Sequence, residues 1–308
     1  MQAPERCAPD APAYDVDILS PELPCGAAWL ASALLDLRVP LWRPWGIDDR
    51  GHWRHEGGSR WRYSLPGSPW RRLLPGLVDG RVFRLRHRPV PRFSHGWPGE
   101  WVAAPRRVLF VRDPRDALYS GWRRACVLRQ TTLVFVDWLH ERFHHWPIDR
   151  ATWLALYWRA WLAAPATAAL VLRFEDSKRD PQGTLALALR HLGLVAPARA
   201  RAAACAAARH EVAAAADREL AAAGVGPRLL AGGEPFEWRR HFTPEMHAAV
   251  DRGLAPVCAA FGYPAPTGAP LPAFDADDVA RAMVGPHGDP THVRAALEAA
   301  RAVDPARA

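Results

Sequence analysis

The sequence predicts an α/β protein in which a central parallel sheet is flanked by helices. Three observations carry that prediction. Short apolar runs rich in β-branched residues recur along the chain, in YDVDILS from Tyr14, VLFV from Val108 and AALVLRF from Ala168, as strands buried in a parallel sheet do. The first two are stopped by turn signals, SPELPCG and Asp113-Pro114, and the third runs into EDSKRDPQ. Each then gives way to a helix-period run, namely GAAWLASALLDL, the stretch through Arg124, and GTLALALRHLGL. Strand, turn and helix repeated in this way build a parallel sheet whose ligands bind at the carboxyl ends of the strands.

At 308 residues the chain suits one large domain, and its net charge of +8, mostly arginine, suits phosphates, sulfates or nucleic acid. Five cysteines (Cys7, Cys25, Cys126, Cys205, Cys258) form no CxxC pair and are odd in number. That argues against a zinc ribbon and a disulfide framework, and makes a reducing cytoplasm the expected location. The polar N-terminus has no secretory core, and no apolar run reaches the ~18 to 20 residues of a membrane span. The expected organisation is a disordered leader over 1–13, one domain over 14–263, and a Pro-rich linker with a helical tail over 264–308.

After the first strand, the loop ending in Pro24, Cys25 and Gly26 opens a helix whose first amides, at Ala27 and Ala28, form an anion site by geometry. Cys25 at a helix N-terminus could be an activated thiol, but a small residue that fits is the preferred reading. Residues 38–101 interleave many tryptophans with arginine. A single-stranded nucleic-acid groove uses this pattern, but no accompanying RNA-binding motif is present and a substrate-pocket wall is preferred. Within it, RVFRLRHRP alternates as a strand, and His87 ends its apolar face.

Arg112 falls at the end of the second strand, and Ser120 lies two turns into the following helix, so guanidinium and hydroxyl can converge on one anion. The competing reading is an Arg112–Asp116 surface ion pair. WLALYWRAWLAA reads as an amphipathic core helix, and His140, His144 and His145 lack the third motif that a zinc site needs. AALVLRF reads as another buried strand, residues 195–224 as alanine-rich helix, and the tail as two short helices.

The stretch RDPRDALYS resembles the 3′-phosphate motif of the sulfotransferases that use 3′-phosphoadenosine 5′-phosphosulfate (PAPS), with Arg112 and Ser120 on the phosphate-binding positions. Further segments follow that family's order. Pro24 to Trp29 occupies the Lys-Ser-Gly-Thr-Thr-Trp loop, with Pro24 where the family has lysine and Trp29 on the aromatic that stacks on adenine. His87 before Pro89 is similar to the family's Lys-Thr-His-Leu-Pro segment, whose histidine is the general base. Phe174 stands where tyrosine is common in the Tyr-Glu-Asp segment. Gly233, Trp238, Phe242 and Thr243 match the C-terminal module, with Ala231 and Gly232 where the family has Arg and Lys.

The resemblance implies a three-layer P-loop-like sulfotransferase fold and sulfuryl transfer from PAPS to a hydroxyl or amine of a small molecule, peptide or sugar. His87 would be catalytic, and Gly26, Ala27, Ala28, Trp29, Arg112, Ser120, Phe174 and Gly233 would bind the nucleotide. The chemistry needs no metal. The tail, which has no counterpart in the family, would be a lid or a homodimer contact. The alternative is a sulfotransferase-fold protein that has lost turnover and binds a nucleotide or a partner.

Overall fold

The computed structural model describes residues 16–37, 39, 45–47, 53–55, 91–98, 104–144, 146–222, 224, 233–264, 266, 269–284 and 289–303. Strand β1 (Val16–Leu19) leads to helix α1 (Ala27–Asp36). An antiparallel ribbon, β2 (Trp45–Ile47) with β3 (Trp53–His55), precedes β4 (Pro91–Ser94). Then β5 (Arg106–Val111) runs into α2 (Pro114–Arg129), followed by α3 (Phe135–His140) and α4 (Arg150–Ala163). Strand β6 (Ala168–Arg173) passes directly into α5 (Phe174–Arg179), then α6 (Pro181–Leu192), α7 (Ala198–Ala207) and α8 (His210–Ala222). A 3-10 turn at Glu237–Arg240 precedes α9 (Pro244–Val250), α10 (Ala255–Phe261), α11 (Ala276–Val284) and α12 (Thr291–Arg301).

The sheet is parallel throughout, in the order β4-β1-β5-β6. Because side chains alternate along a strand, Val16, Ile18, Val108 and Phe110 face one core with α1, α6 and α7. Leu19, Leu109 and Val111 face a second core with α2, α3, α4 and the C-terminal helices. The result is the expected three layers of helix, parallel sheet and helix.

Three local expectations are corrected. Strand β6 lies at the sheet's edge among the described residues, so Ala168, Ala169 and Val171 are exposed where a buried strand was expected. Helix α4 is buried on all sides, its Trp153, Tyr157, Trp158 and Trp161 included, because α12 covers the face that an amphipathic helix would show to water. The tail is part of the core: Val279, Ala280, Val293, Leu297 and Ala300 are buried in the same cluster as α4, and Arg159 donates to the Val303 carbonyl. The segment 14–15, the leader and the strand expected around His87 lie outside the described residues.

A buried ion pair sets the register of β4 on β1. Asp17 and Arg92 are register partners, with Arg92 Nε 2.6 Å from Asp17 Oδ1 and Nη2 2.7 Å from Oδ2. Asp17 Oδ2 also accepts the Ala104 amide at 2.9 Å. Removing one partner of such a pair leaves the other charge buried and uncompensated. Asp17→Ala should therefore cost about 3 to 5 kcal/mol of unfolding free energy in urea, and the Asp17→Ala/Arg92→Leu double variant should cost less than the single one.

Candidate functional site

The carboxyl ends of β1, β4 and β5 open on one edge of the sheet, and the loop from Ser20 to Gly26 crosses it into α1. Gly26 has φ +82°, and a Cβ there would lie 2.5 Å from Phe174 Cδ2, so only glycine lets this backbone pass against the ring. The amides of Ala27 and Ala28 fall in the first turn of α1, where no carbonyl of the helix accepts them. Trp29 is half-buried, its ring centroid 6.2 Å from that of Phe110. Cys25 is buried, and desolvation pushes its thiol up to about 12, offset in part by the nearby Arg112 charge. It is a protonated packing residue, which removes the activated-thiol reading.

Arg112 is 4% exposed and stands beside this loop. Its guanidinium carbon lies 4.5 Å from the centre of the Phe174 ring. Nη1 donates to the Pro24 carbonyl at 3.3 Å and Nη2 to the Glu234 carbonyl at 3.4 Å, both long bonds to neutral acceptors. Nε makes no hydrogen bond, and its carboxylate neighbour, Asp116 Oδ2, is 3.7 Å away. The Arg112–Asp116 pair of the competing reading thus exists, but it is buried. A guanidinium held this loosely retains donors for an anion.

The rest of the Arg-Asp-Pro-Arg-Asp turn is occupied with holding the C-terminal segment. Asp113 caps α2 through the Arg115 amide, binds the Arg115 guanidinium at 2.8 and 2.9 Å, and accepts from Trp238 Nε1 at 3.2 Å. Asp116 accepts the Phe236 amide, and the Trp238 amide at 3.0 Å. Glu175 joins the network, taking the Asp113 amide at 3.0 Å and the Tyr263 hydroxyl at 2.7 Å.

This network brings Glu234 to Arg112 and places Gly233, with φ +102°, against the His210 ring, 3.1 Å from where a Cβ would be. Ser120 is half-buried, one turn beyond Asp116 on the same face of α2, and so faces the same segment. Arg239 and Arg240 are exposed, and Arg239 stacks over Phe236 at 4.4 Å. Arg228, Ala231 and Gly232 lie outside the described residues, as does His87.

Among the described residues, His95 stands at a strand's carboxyl end beside the first loop. It follows β4 directly, and its Nδ1 is 2.7 Å from the Ser20 carbonyl oxygen. A carbonyl only accepts, so Nδ1 carries the proton and the lone pair of the neutral ring is on Nε2. Neighbouring contacts fix the turn: the Gly96 amide donates to Ser94 Oγ at 2.9 Å, and Trp161 Nε1 donates to the Gly96 carbonyl at 3.0 Å. In the sequence, His95 lies in Ser-His-Gly-Trp-Pro directly after this short strand. His140 and His144 hydrogen-bond Asp149 and Glu22, and no metal-binding cluster occurs among the described residues.

Neither protein-family models nor curated proteins give a match to this chain. Solved structures do. A retinol dehydratase in complex with retinol and PAP matches with a TM-score of 0.45 and 17% identity, over 78% of this chain and 80% of that one. The same enzyme with androsterone and inactive cofactor PAP gives 0.47 and 18%, over 78% and 80%. Mouse sulfotransferase SULT7A1 complexed with PAP gives 0.47 and 15%, over 79% and 82%. At such low identity and TM-score, the functional reading rests on the chain's own residues.

Burial pushes the Asp116 carboxyl up from 3.8 to about 6, against the opposing pull of Arg112 and the Trp238 and Phe236 amides. Between those values the folded chain binds more protons at this group than the unfolded chain. Its contribution to stability therefore falls as pH rises from about 4 to about 6, by at most roughly 3 kcal/mol. Asp116→Asn should remove that slope from urea-unfolding curves measured across the window. Identical pH slopes in the two proteins would contradict the assignment.

Proposed function

We propose that this chain transfers a sulfuryl group from PAPS to a hydroxyl or amine of a small-molecule, peptide or sugar acceptor. The observation that carries the reading is the buried Arg112 at the end of β5, whose Nε makes no hydrogen bond, beside a loop whose Gly26 leaves room for no Cβ against Phe174. Those two features fit a phosphate-bearing nucleotide. The sequence resemblance of RDPRDALYS, with Arg112 and Ser120 on phosphate positions, points the same way.

PAPS, when bound, supplies an activated sulfuryl group and a phosphate leaving group. Arg112 and the Ser120 hydroxyl would hold the 3′-phosphate, with Arg112 exchanging its long bonds to Pro24 and Glu234 for charge-assisted ones. Gly26 and the Ala27 and Ala28 amides would cradle the phosphosulfate end at the start of α1. Trp29 and Phe174 would supply aromatic surface for the base, and Gly233 would close the phosphate side. His95 would take the acceptor's proton on Nε2, oriented by its Nδ1–H bond to Ser20. No metal is required by this scheme. A cytoplasmic location goes with it, in keeping with free thiols at Cys25, Cys126, Cys205 and Cys258. No described helix is long and apolar enough to cross a membrane.

Arg112→Ala should weaken calorimetric binding of adenosine 3′,5′-bisphosphate by on the order of 1.5 to 3 kcal/mol, the worth of a hydrogen-bonded charge. Binding as tight as in the parent chain would contradict the clamp. His95→Ala should lower turnover by roughly 10²- to 10⁴-fold with little change in bisphosphate affinity, since a general base acts in the transition state. Parallel measurement of His87→Ala decides between the two histidines: loss of turnover there, with His95→Ala unaffected, would return the role to His87. Bisphosphate binding without sulfuryl transfer to any acceptor tried would favour a nucleotide-binding protein that lacks turnover.

A further inference from the structure

Position 24 is proline, so the loop brings no ammonium group to the nucleotide. Of the chain's 40 lysines and arginines, 39 are arginine; the single lysine is Lys178. It lies on α5, four residues after Phe174 and therefore on the same helix face. Its Nζ is 6.0 Å from the centre of the Phe174 ring, the same ring that Arg112 covers at 4.5 Å and that fills the space beside Gly26.

The neighbouring Arg179 behaves differently, reaching into solvent and pairing with Asp176 at 2.7 Å. Among the described residues Lys178 is half-buried and makes no ion pair with a carboxylate. An acidic group that feels its charge is Glu211 on α8. Its carboxyl is held below the usual range chiefly by a bond to its own backbone, with Lys178, His210 and Arg209 adding to the effect. Glu211 adjoins His210, whose ring packs on Gly233. Lys178 thus stands beside the Phe174 ring on the Gly26 and Arg112 side of the cradle.

We propose that Lys178 is a nucleotide contact, an ammonium donor to a phosphate of the bound adenosine 3′,5′-bisphosphate moiety that supplies charge the Pro24 loop lacks. The inference rests on the function proposed above. A flexible four-carbon stem with three donors suits the task, because it can swing from the Phe174 ring onto an anion that the more rigid Arg112 fork has already positioned.

The uniqueness of this lysine makes the test direct. Reductive methylation with ¹³C-formaldehyde preserves positive charge and labels Lys178 and the α-amino group alone. Adenosine 3′,5′-bisphosphate should move the Lys178 dimethylamine resonance saturably, with the midpoint that calorimetry gives for the same preparation. Adenosine, which carries no phosphate, should leave the resonance in place. Lys178→Ala should weaken bisphosphate binding at least tenfold, whereas Arg179→Ala should leave it unchanged. If the bisphosphate binds by calorimetry while the resonance stays still, or if adenosine moves it equally, the Lys178 assignment falls and the proposed function stands. If no bisphosphate binds at all, both fall.

Discussion

Two buried carboxylates, Asp113 and Asp116, hold the candidate site together. Asp113 gathers the Arg115 guanidinium and the Trp238 indole, while Asp116 takes the amides of Phe236 and Trp238 and faces Arg112. A buried carboxylate is tolerated only when its lone pairs are used, so the 233–238 segment is pinned wherever these acceptors stand. The site is thereby assembled from parts of the chain about 120 residues apart, and the pinning brings Glu234 and Gly233 to the end of β5. Arg112 is the exception in this network. Its hydrogen bonds are long and one of its nitrogens has none, as suits a group whose partner is a ligand.

Arginine is structural material in this chain as much as surface charge. Arg92, Arg107, Arg112, Arg115, Arg150 and Arg159 are all buried. Arg107 donates to the carbonyls of Trp161, Ala164 and Pro165, tying β5 to the end of α4, and Arg150 donates to the Trp138 carbonyl at the start of the same helix. Among the described residues, six of the chain's 39 arginines are therefore used inside. A planar fork with five donors can satisfy several carbonyls at once, which a lysine cannot.

Strands β1 and β5 and the helices after them were legible because their apolar runs and turn residues agree with their surroundings. Strand β4 was not. Its four residues include a proline and an arginine, and Arg92 is buried only because Asp17 on the neighbouring strand neutralises it, a fact that periodicity cannot express. The Gly26 loop and Arg112 were legible as types at a spacing and Phe174 through the family resemblance, and the fold packs the Phe174 ring against both Gly26 and Arg112. The roles of Asp113, Asp116 and Glu175 as acceptors for the C-terminal segment depend on long-range packing. So does Lys178, whose meaning comes from the ring it faces. The tail's place in the core follows from the cover it gives α4, whose two faces read from sequence as one buried and one wet.

A crystal structure of the chain with adenosine 3′,5′-bisphosphate tests the central claim most directly. The account predicts one phosphate bonded to the Arg112 guanidinium with its contacts to the Pro24 and Glu234 carbonyls broken, and the other phosphate against the Gly26 loop. Nucleotide density elsewhere on the protein, or Arg112 unchanged with the nucleotide bound, would contradict it.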